Sequence, residues 1–99
     1  MITKGLIVRL QAKNGQEETV AAFLQDALAL VREESQTITW FAFRIDASTY
    51  AIVDAFPDEA GRRAHLEGAV AAALEENALE LLATPPLIEP VDVIASKLP

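Results

Sequence analysis

The chain has 99 residues, so we expect residues 1–99 to form one domain that buries only about two-thirds of its unfolded surface. A formal net charge of −7 disfavours nucleic acid and anionic membrane surfaces as partners. With no cysteine and one histidine, disulfides, thiolate catalysis and a His-rich metal site within one subunit are excluded, and we expect no metal. No stretch approaches the roughly 20 apolar residues of a membrane span and no signal peptide is evident, which predicts a cytoplasmic protein.

The first third of the chain predicts a strand followed by a helix. Apolar and polar residues alternate from Lys4 to Lys13, which is typical of a half-buried strand. Asn14-Gly15 ends the strand, and we expect Asn14 to cap the next helix with Glu17 reaching back to it. The helix is predicted from Gln16 to about Glu34, where an apolar face recurs at helical spacing through Val20, Phe23, Leu24, Ala27, Leu28 and Val31.

The middle of the chain predicts a β-hairpin. Thr37 to Asp46 is rich in β-branched and aromatic residues, and Thr49 to Phe56 forms the returning strand. A two-residue turn at Ala47-Ser48 places Asp46 opposite Thr49 and divides the side chains between two faces. The face toward the helices then holds Phe41, Phe43, Ile45, Tyr50, Ile52, Asp54 and Phe56. The other face holds Trp40, Ala42, Arg44, Ala51, Val53 and Ala55.

The last third of the chain predicts a second helix and a fourth strand. Asp58 is the expected N-cap, and Gly68 is where we expect the helix to bend or break. The helical pattern continues through Val70 to Leu74, and a separate short helical piece is expected from about Ala78 to Leu82, before Pro85-Pro86. The final strand is predicted from Ile88 to Lys97, and Pro90 places its start at a sheet edge or a bulge because proline cannot donate to a ladder.

The order strand-helix-strand-strand-helix-strand predicts an α+β, ferredoxin-like fold: a four-stranded antiparallel sheet with two helices on one face. Two helices cover only one face of such a sheet. The other face would lie bare to water, an apolar patch large enough to need a partner. We therefore expect a homodimer that pairs sheet to sheet.

Four segments together resemble the antibiotic biosynthesis monooxygenase domain family, whose members form dimeric α+β barrels. These are Thr39-Trp40-Phe41-Ala42-Phe43-Arg44, Tyr50 to Phe56, Asp58 to Leu66, and Val91 to Leu98. The resemblance spans almost the whole chain. It implies a homodimer joined through the sheet face and the C-terminal strand.

The same resemblance implies an activity, although one scaffold hosts many functions. Some relatives oxidise polycyclic phenols with molecular oxygen and without a cofactor, through a pattern of Trp, Asn, Tyr and Arg that matches Trp40, Tyr50 and Arg44 here. Haem-degrading relatives use an Asn on the first strand, where this chain has Val8, Arg9 and Leu10. The leading hypothesis is a cofactor-independent monooxygenase acting on a small aromatic, polyphenol or quinol. The alternative is a non-catalytic small-molecule-binding or stress-related dimer that uses the same cavity.

His65 and Asp54 are the candidate catalytic residues. Imidazole is the side chain whose ordinary pKa lies near neutrality, which suits a general base or an oxygen-binding group. Asp54 lies among apolar residues in a strand and would orient His65. The alternatives are a buried imidazole that fixes helix to sheet, and an Asp54 that forms a salt bridge with Arg62 or Arg63.

The candidate substrate-binding residues are aromatic or cationic. Trp40 and Arg44 could supply a stacking wall and an anion-binding fork, or could instead pack and pair at the dimer interface. A flat aromatic ligand would also need an apolar wall, unless these side chains are simply core. The wall is expected to comprise Tyr50, Phe43 and Phe56.

Overall fold

The computed structural model describes all 99 residues and arranges them as four strands and three helices. The strands form one antiparallel sheet in the order β2-β3-β1-β4, which confirms the predicted ferredoxin-like topology. No helix is both long and apolar enough to cross a membrane. In chain order the elements are β1 (Lys4–Gln11), α1 (Glu17–Val31), β2 (Thr39–Arg44), β3 (Thr49–Phe56), α2 (Glu59–Leu66), α3 (Ala69–Leu81) and β4 (Leu87–Asp92).

The core lies between the helices and one face of the two central strands. Leu6 pairs with Asp54, Val8 with Ile52, and Leu10 with Tyr50, so the inward residues of β1 and β3 share one face. The helices complete this core, because Val20 and Leu24 of α1 are buried against it. The apolar residues that alternate in the strands and those that recur every 3.6 residues in the helix therefore pack in the same apolar layer.

The predicted register of the hairpin is wrong by one residue. Three residues, not two, form the turn, because the backbone N–H of Ile45 donates to the Thr49 carbonyl at 2.8 Å. Trp40 then pairs with Asp54, and Arg44 with Tyr50. A shift of one residue moves every β2 side chain to the opposite face of the sheet. Trp40, Ala42 and Arg44 thus face the helices, whereas Phe41 and Phe43 lie on the outer face.

The outer face of the sheet is apolar around the edge strand β2. The rings of Phe41 and Phe43 stack at a centroid distance of 5.7 Å, and the two residues remain 54% and 47% exposed. Ala51, Val53 and Ala55 share this outer face, as the sequence predicted. No helix covers this face, but Ala51 and Ala55 are themselves buried, so Phe41 and Phe43 form its exposed apolar part in place of the expected Trp40.

The helix boundaries confirm one predicted cap and correct another. Asp58 caps α2, and its Oδ1 accepts from the Gly61 N–H at 2.9 Å. Asn14 does not cap α1, because the N-cap is Gln16, two residues later, and Glu17 instead accepts from the N–H of Gly15. Gly15 has φ +90°, a backbone conformation that favours glycine.

The second half of the chain differs from the prediction in two respects. The expected break near Gly68 separates α2 from α3, so three helices rather than two cover the sheet. β4 ends at Asp92, not Lys97, and only the N–H of Val93 continues the pairing, donating to the carbonyl of Thr3. Pro90 lies in this edge strand, which confirms the position predicted from its missing donor.

Candidate functional site

An open cleft of about 430 Å³ lies between α1 and the edge strand β2. Its α1 wall follows from helical spacing, because residues 21, 24, 25 and 28 lie on one face of the helix. Its other wall is β2 together with Tyr50 of β3. Eight of the ten lining residues are hydrophobic, which suits an apolar ligand. The lining comprises Ala21, Leu24, Gln25, Leu28, Trp40, Phe41, Ala42, Phe43, Arg44 and Tyr50.

Arg44 and Tyr50 place polar groups at one end of this cleft. The Tyr50 hydroxyl donates to the carbonyl of Glu17 at 2.8 Å, which fixes the ring against the start of α1. The Arg44 guanidinium lies 5.0 Å from the centroid of that ring, within range of a cation–π interaction. It also pairs with Glu18 at 3.2 and 3.4 Å. The partly exposed Arg44 cation is therefore fixed by these contacts at the border of the apolar lining.

Trp40 lines the cleft and also carries an unsatisfied hydrogen-bond donor. Its Nε1 is buried and has no hydrogen-bond partner in the protein. A buried donor left without a partner costs about 1–3 kcal/mol, so native proteins rarely keep one without a reason. Nε1 is covered by protein atoms, so an oxygen atom of a bound ligand would remove that cost only after the indole turned toward the cleft.

His65 lies in a separate, buried cluster with two carboxyl groups. Its Nδ1 is 2.6 Å from Oε1 of Glu34, and its Nε2 is 3.1 Å from Oδ2 of Asp54. The second contact has the distance of an ion pair but is not aligned as a hydrogen bond, so both Asp54 oxygens lack a hydrogen-bond partner. Phe56, fully buried, packs its ring 5.3 Å from the imidazole. The cluster ties α2 to β3 and to the segment after α1.

The two carboxyl groups decide the proton affinity of His65. Burial by itself lowers the pKa of the imidazole, since it disfavours the charged form. Contacts with Asp54 and then Glu34 favour that form and outweigh the burial. The pKa of His65 therefore lies above its ordinary value of 6.5.

Glu34 is the member of this cluster that sequence reasoning missed. It follows α1 in Glu33-Glu34-Ser35, a run of polar residues that usually marks a solvated segment. Its position depends on a local contact, because the Thr37 hydroxyl donates to Glu34 Oε1 at 2.8 Å. An acidic residue three positions before a threonine is only a weak sign of such a contact. It does not indicate that Glu34 also contacts His65.

The structure divides the predicted site residues into two groups. Trp40, Arg44 and Tyr50 line the cleft, with Phe43 at its rim on the outer face. His65 and Asp54 do not line it; His65 lines a polar pocket of about 230 Å³ beside Glu34 and Thr37 instead. Phe56 is fully buried beneath His65 and does not line the cleft either.

The structure bears on two alternatives raised by the sequence. Arg44 and Trp40 do not lie on the bare sheet face where they were expected, and Arg44 pairs with Glu18 of its own chain. Asp54 does not pair with Arg62, which instead donates to the carbonyls of Gly5 and Val91 and pairs with Glu59. Asp54 contacts His65, as the orienting role requires.

Solved structures share this architecture throughout the chain. A protein of unknown function from Nitrosomonas europaea, NE2512, is 54% identical, with a TM-score of 0.98 over 100% of this chain and 96% of that chain. A second N. europaea protein, provisionally described as an antibiotic biosynthesis monooxygenase, is 14% identical with a TM-score of 0.82 over 93% and 90% of the two chains. Another antibiotic biosynthesis monooxygenase has 14% identity and a TM-score of 0.80 over 93% and 99%.

Sequence comparisons add no further relative: no protein-family model and no curated protein matches the chain. The resemblance predicted from the sequence is confirmed by the structural relatives, since the named monooxygenases share the fold at low identity. Identity of 54% over the full length carries more weight, because it reflects common ancestry rather than fold alone. The chain belongs to the same family as NE2512 and has the fold of the antibiotic biosynthesis monooxygenases.

Proposed function

We propose that the chain is a cofactor-independent monooxygenase acting on a small aromatic, polyphenol or quinol substrate bound in the cleft between α1 and β2. The observation that carries this proposal is a predominantly apolar cleft of about 430 Å³ that the Arg44 cation borders at one end. The names of structural relatives agree with it but do not define a substrate.

Apolar and polar groups in the cleft fit a flat substrate that becomes an anion. The apolar lining offers aromatic rings a surface to pack against. Trp40 and Arg44 lie on the same strand face, four residues apart, so the Arg44 cation borders one end of a wall that contains the indole. Fixed donors and charges of this kind stabilise an oxyanion more strongly in an apolar site than in water.

The chemistry needs no external reductant. A methylene group beside an aryl ketone loses a proton, and the resulting carbanion gives one electron to O₂. The radical pair combines to a peroxide, which then loses water and leaves a carbonyl. One oxygen atom enters the product and the other leaves as water, so R₂CH₂ and O₂ become R₂C=O and H₂O. Both reducing electron pairs come from the substrate.

In this proposal His65 is the base and Asp54 orients it, although both lie outside the cleft. Their role is supported by the position of Asp54. This residue pairs with Trp40 of the cleft wall in the sheet, and its carboxyl group contacts His65. A proton leaving the substrate would have to pass Trp40 to reach this pair. His65→Ala tests the role: loss of turnover in a folded protein supports it, and an unchanged rate removes His65 from the mechanism.

The proposal includes a homodimer joined through the outer sheet face and the C-terminal strand. Phe41 and Phe43 support it, because two stacked, half-exposed rings on an uncovered face are typical of an interface and not of a solvated surface. Pairing would place the β2 strands, and therefore the outer rims of the clefts, close to the interface.

A second candidate is a non-catalytic binding protein that holds an apolar metabolite in the same cleft. The separation of His65 and Asp54 from the cleft favours it, because no general base lines the proposed ligand site. A ligand that copurifies with the protein and is not converted would support this candidate.

Oxygen uptake on a panel of quinols and anthrones separates the two candidates. We expect wild-type protein to exceed the spontaneous autoxidation rate on at least one compound, and Trp40→Phe to lose most of that excess. Uptake equal to the blank across the panel, together with tight binding of any compound in it, would contradict oxygenation and support the binding protein.

A further inference from the structure

The lone histidine of the chain connects three segments that are distant in sequence. His65 lies in the last turn of α2, Asp54 in β3, and Glu34 in the segment between α1 and β2. The two ring nitrogens lie 2.6 and 3.1 Å from carboxyl oxygens of these acids. His65 and Asp54 are buried, and the ring of Phe56 covers one side of the imidazole. The contacts therefore form in an environment that excludes most water.

The number of protons in this cluster decides whether it is attractive. A neutral imidazole has one N–H and one lone pair, so one of the two carboxylates would face a lone pair at close range. With one further proton, both ring nitrogens can face an acceptor favourably. The cluster needs this one further proton whether the proton resides on the ring or on a carboxyl oxygen. The short distances on both sides of the ring thus favour the protonated form, through a hydrogen bond to Glu34 and an ion-pair contact with Asp54.

We propose that Glu34, His65 and Asp54 form a protonated bridge that fastens the α1–β2 segment to α2 and the sheet, and that releases the segment when the bridge loses its proton. This assignment is independent of the proposed function. Glu34 acts here as a positioning residue, because its carboxylate holds the ring from the side opposite Asp54.

The charges that face His65 from each neighbouring element are all negative. β3 contributes Asp54 and the segment after α1 contributes Glu34, with Glu33 on the rim of the same polar pocket. Within α2, Arg62 is turned toward Glu59 and the backbone of β1 and β4. No lysine or arginine forms an ion pair with Asp54 or Glu34, so the imidazole is the cation that balances them. The raised pKa of His65 agrees with this arrangement.

Release of the bridge would reach the cleft through a short path. The segment that Glu34 anchors leads directly into β2, where the Ile38 N–H donates to the carbonyl of Ala55 and Trp40 follows two residues later. A bridge that holds its proton also cannot accept another one. His65 could therefore serve as a base only at a pH above its own pKa.

NMR titration of the imidazole tests the bridge directly, since the chain has one histidine and its ring protons give unambiguous signals. We expect a wild-type midpoint above 6.5 and a lower midpoint in Glu34→Gln. Glu33→Gln is the matched control, because it removes an acid from the same pocket without breaking the contact, and should keep the wild-type midpoint. A wild-type midpoint at or below 6.5, or equal midpoints in the two variants, would overturn the proposal.

Backbone amide signals in the same titration test the release. We expect the amides of residues 35–38 to shift with the midpoint of His65 in wild-type protein and in Glu33→Gln. In Glu34→Gln this coupled transition should be lost. Amides that stay constant in the wild type while the imidazole titrates would show that the bridge fastens nothing, and would overturn that part of the proposal.

Discussion

In the proposed function Trp40 acts at the wall of the cleft, where its indole combines an apolar ring with a partnerless donor that would reach a ligand once the ring turns. Phenylalanine keeps a flat wall and removes the donor. We expect Trp40→Phe to weaken binding of a phenolic ligand by about tenfold, which corresponds to about 1.4 kcal/mol for one hydrogen bond. Titration calorimetry measures the change.

Stability provides the control for that substitution. Removing an unpaired donor costs the fold no hydrogen bond, so Trp40→Phe should unfold in urea near the wild-type midpoint. A variant that is destabilised by several kcal/mol yet binds normally would mean that Nε1 serves the fold and not a ligand.

Asp54 links the protonation of His65 to stability. The pKa of His65 is raised in the folded protein, so the contact stabilises fully below the unfolded value of 6.5 and loses that effect as pH rises through the higher folded pKa. We expect Asp54→Asn to lower the free energy of unfolding by about 1–3 kcal/mol at pH 6, where a buried partner is lost.

The difference between wild type and Asp54→Asn should then shrink as the pH is raised to 9. Urea unfolding at a series of pH values measures it, with Asp92→Asn as a control on an exposed acid that does not contact His65. A difference that is constant with pH, or grows, would contradict the proton-linked contact.

Residue identity alone predicted some of these roles. His65 and Asp54 could be paired from sequence because a lone imidazole and a carboxyl group in an apolar strand each need a partner when buried. Glu34 could not, since its approach to His65 depends on how α1 ends and on the Thr37 hydroxyl that holds it. Contacts between distant segments of this kind leave no local pattern.

Among the elements, the β2–β3 turn determines which residues reach the cleft. The Asp46 side chain accepts from the Ser48 N–H at 3.0 Å, an Asx turn that lengthens the loop to three residues. Strand alternation was predictable, but Asp-Ala-Ser lacks the glycine that distinguishes one turn length from another. The one-residue shift turns Trp40 and Arg44 inward and makes the cleft possible.

The start of α2 positions the helix that bears His65. Asp58 caps it through the Gly61 N–H, and we expect Asp58→Ala to lower stability by about 0.5–2 kcal/mol. Asp58→Asn is the matched control, because asparagine retains the capping oxygen and should restore most of the loss. Thermal unfolding of the three proteins measures this. Equal losses in both variants would contradict the cap.

At the scale of the whole molecule, strand order and antiparallel pairing were predictable from alternation, helical period and proline positions. Which β2 residues line the cleft and which lie on the outer face was not predictable, because it depends on the register of the hairpin. The uncovered outer face nevertheless leads to the same expectation of a dimer, now carried by Phe41 and Phe43 rather than by Trp40.

Light scattering in solution tests the dimer. We expect a mass of two chains for the wild type and of one chain for Phe41→Lys, because a charge on the paired face would be buried without a partner. Leu79→Lys is the matched control, since Leu79 is 90% exposed on α3, away from the outer face. A Phe41→Lys protein that remains dimeric would place the interface elsewhere.

The most direct test of the central claim, that the cleft between α1 and β2 is the reaction site, is the initial rate of oxygen uptake on a substrate that wild-type protein converts. Ala42→Phe fills the cleft from an exposed position in its wall, and Ala47→Phe adds the same ring at the exposed β2–β3 turn outside it. We predict that Ala42→Phe falls to the autoxidation blank while Ala47→Phe keeps the wild-type rate. A folded Ala42→Phe protein with an unchanged rate would contradict the assignment of the cleft.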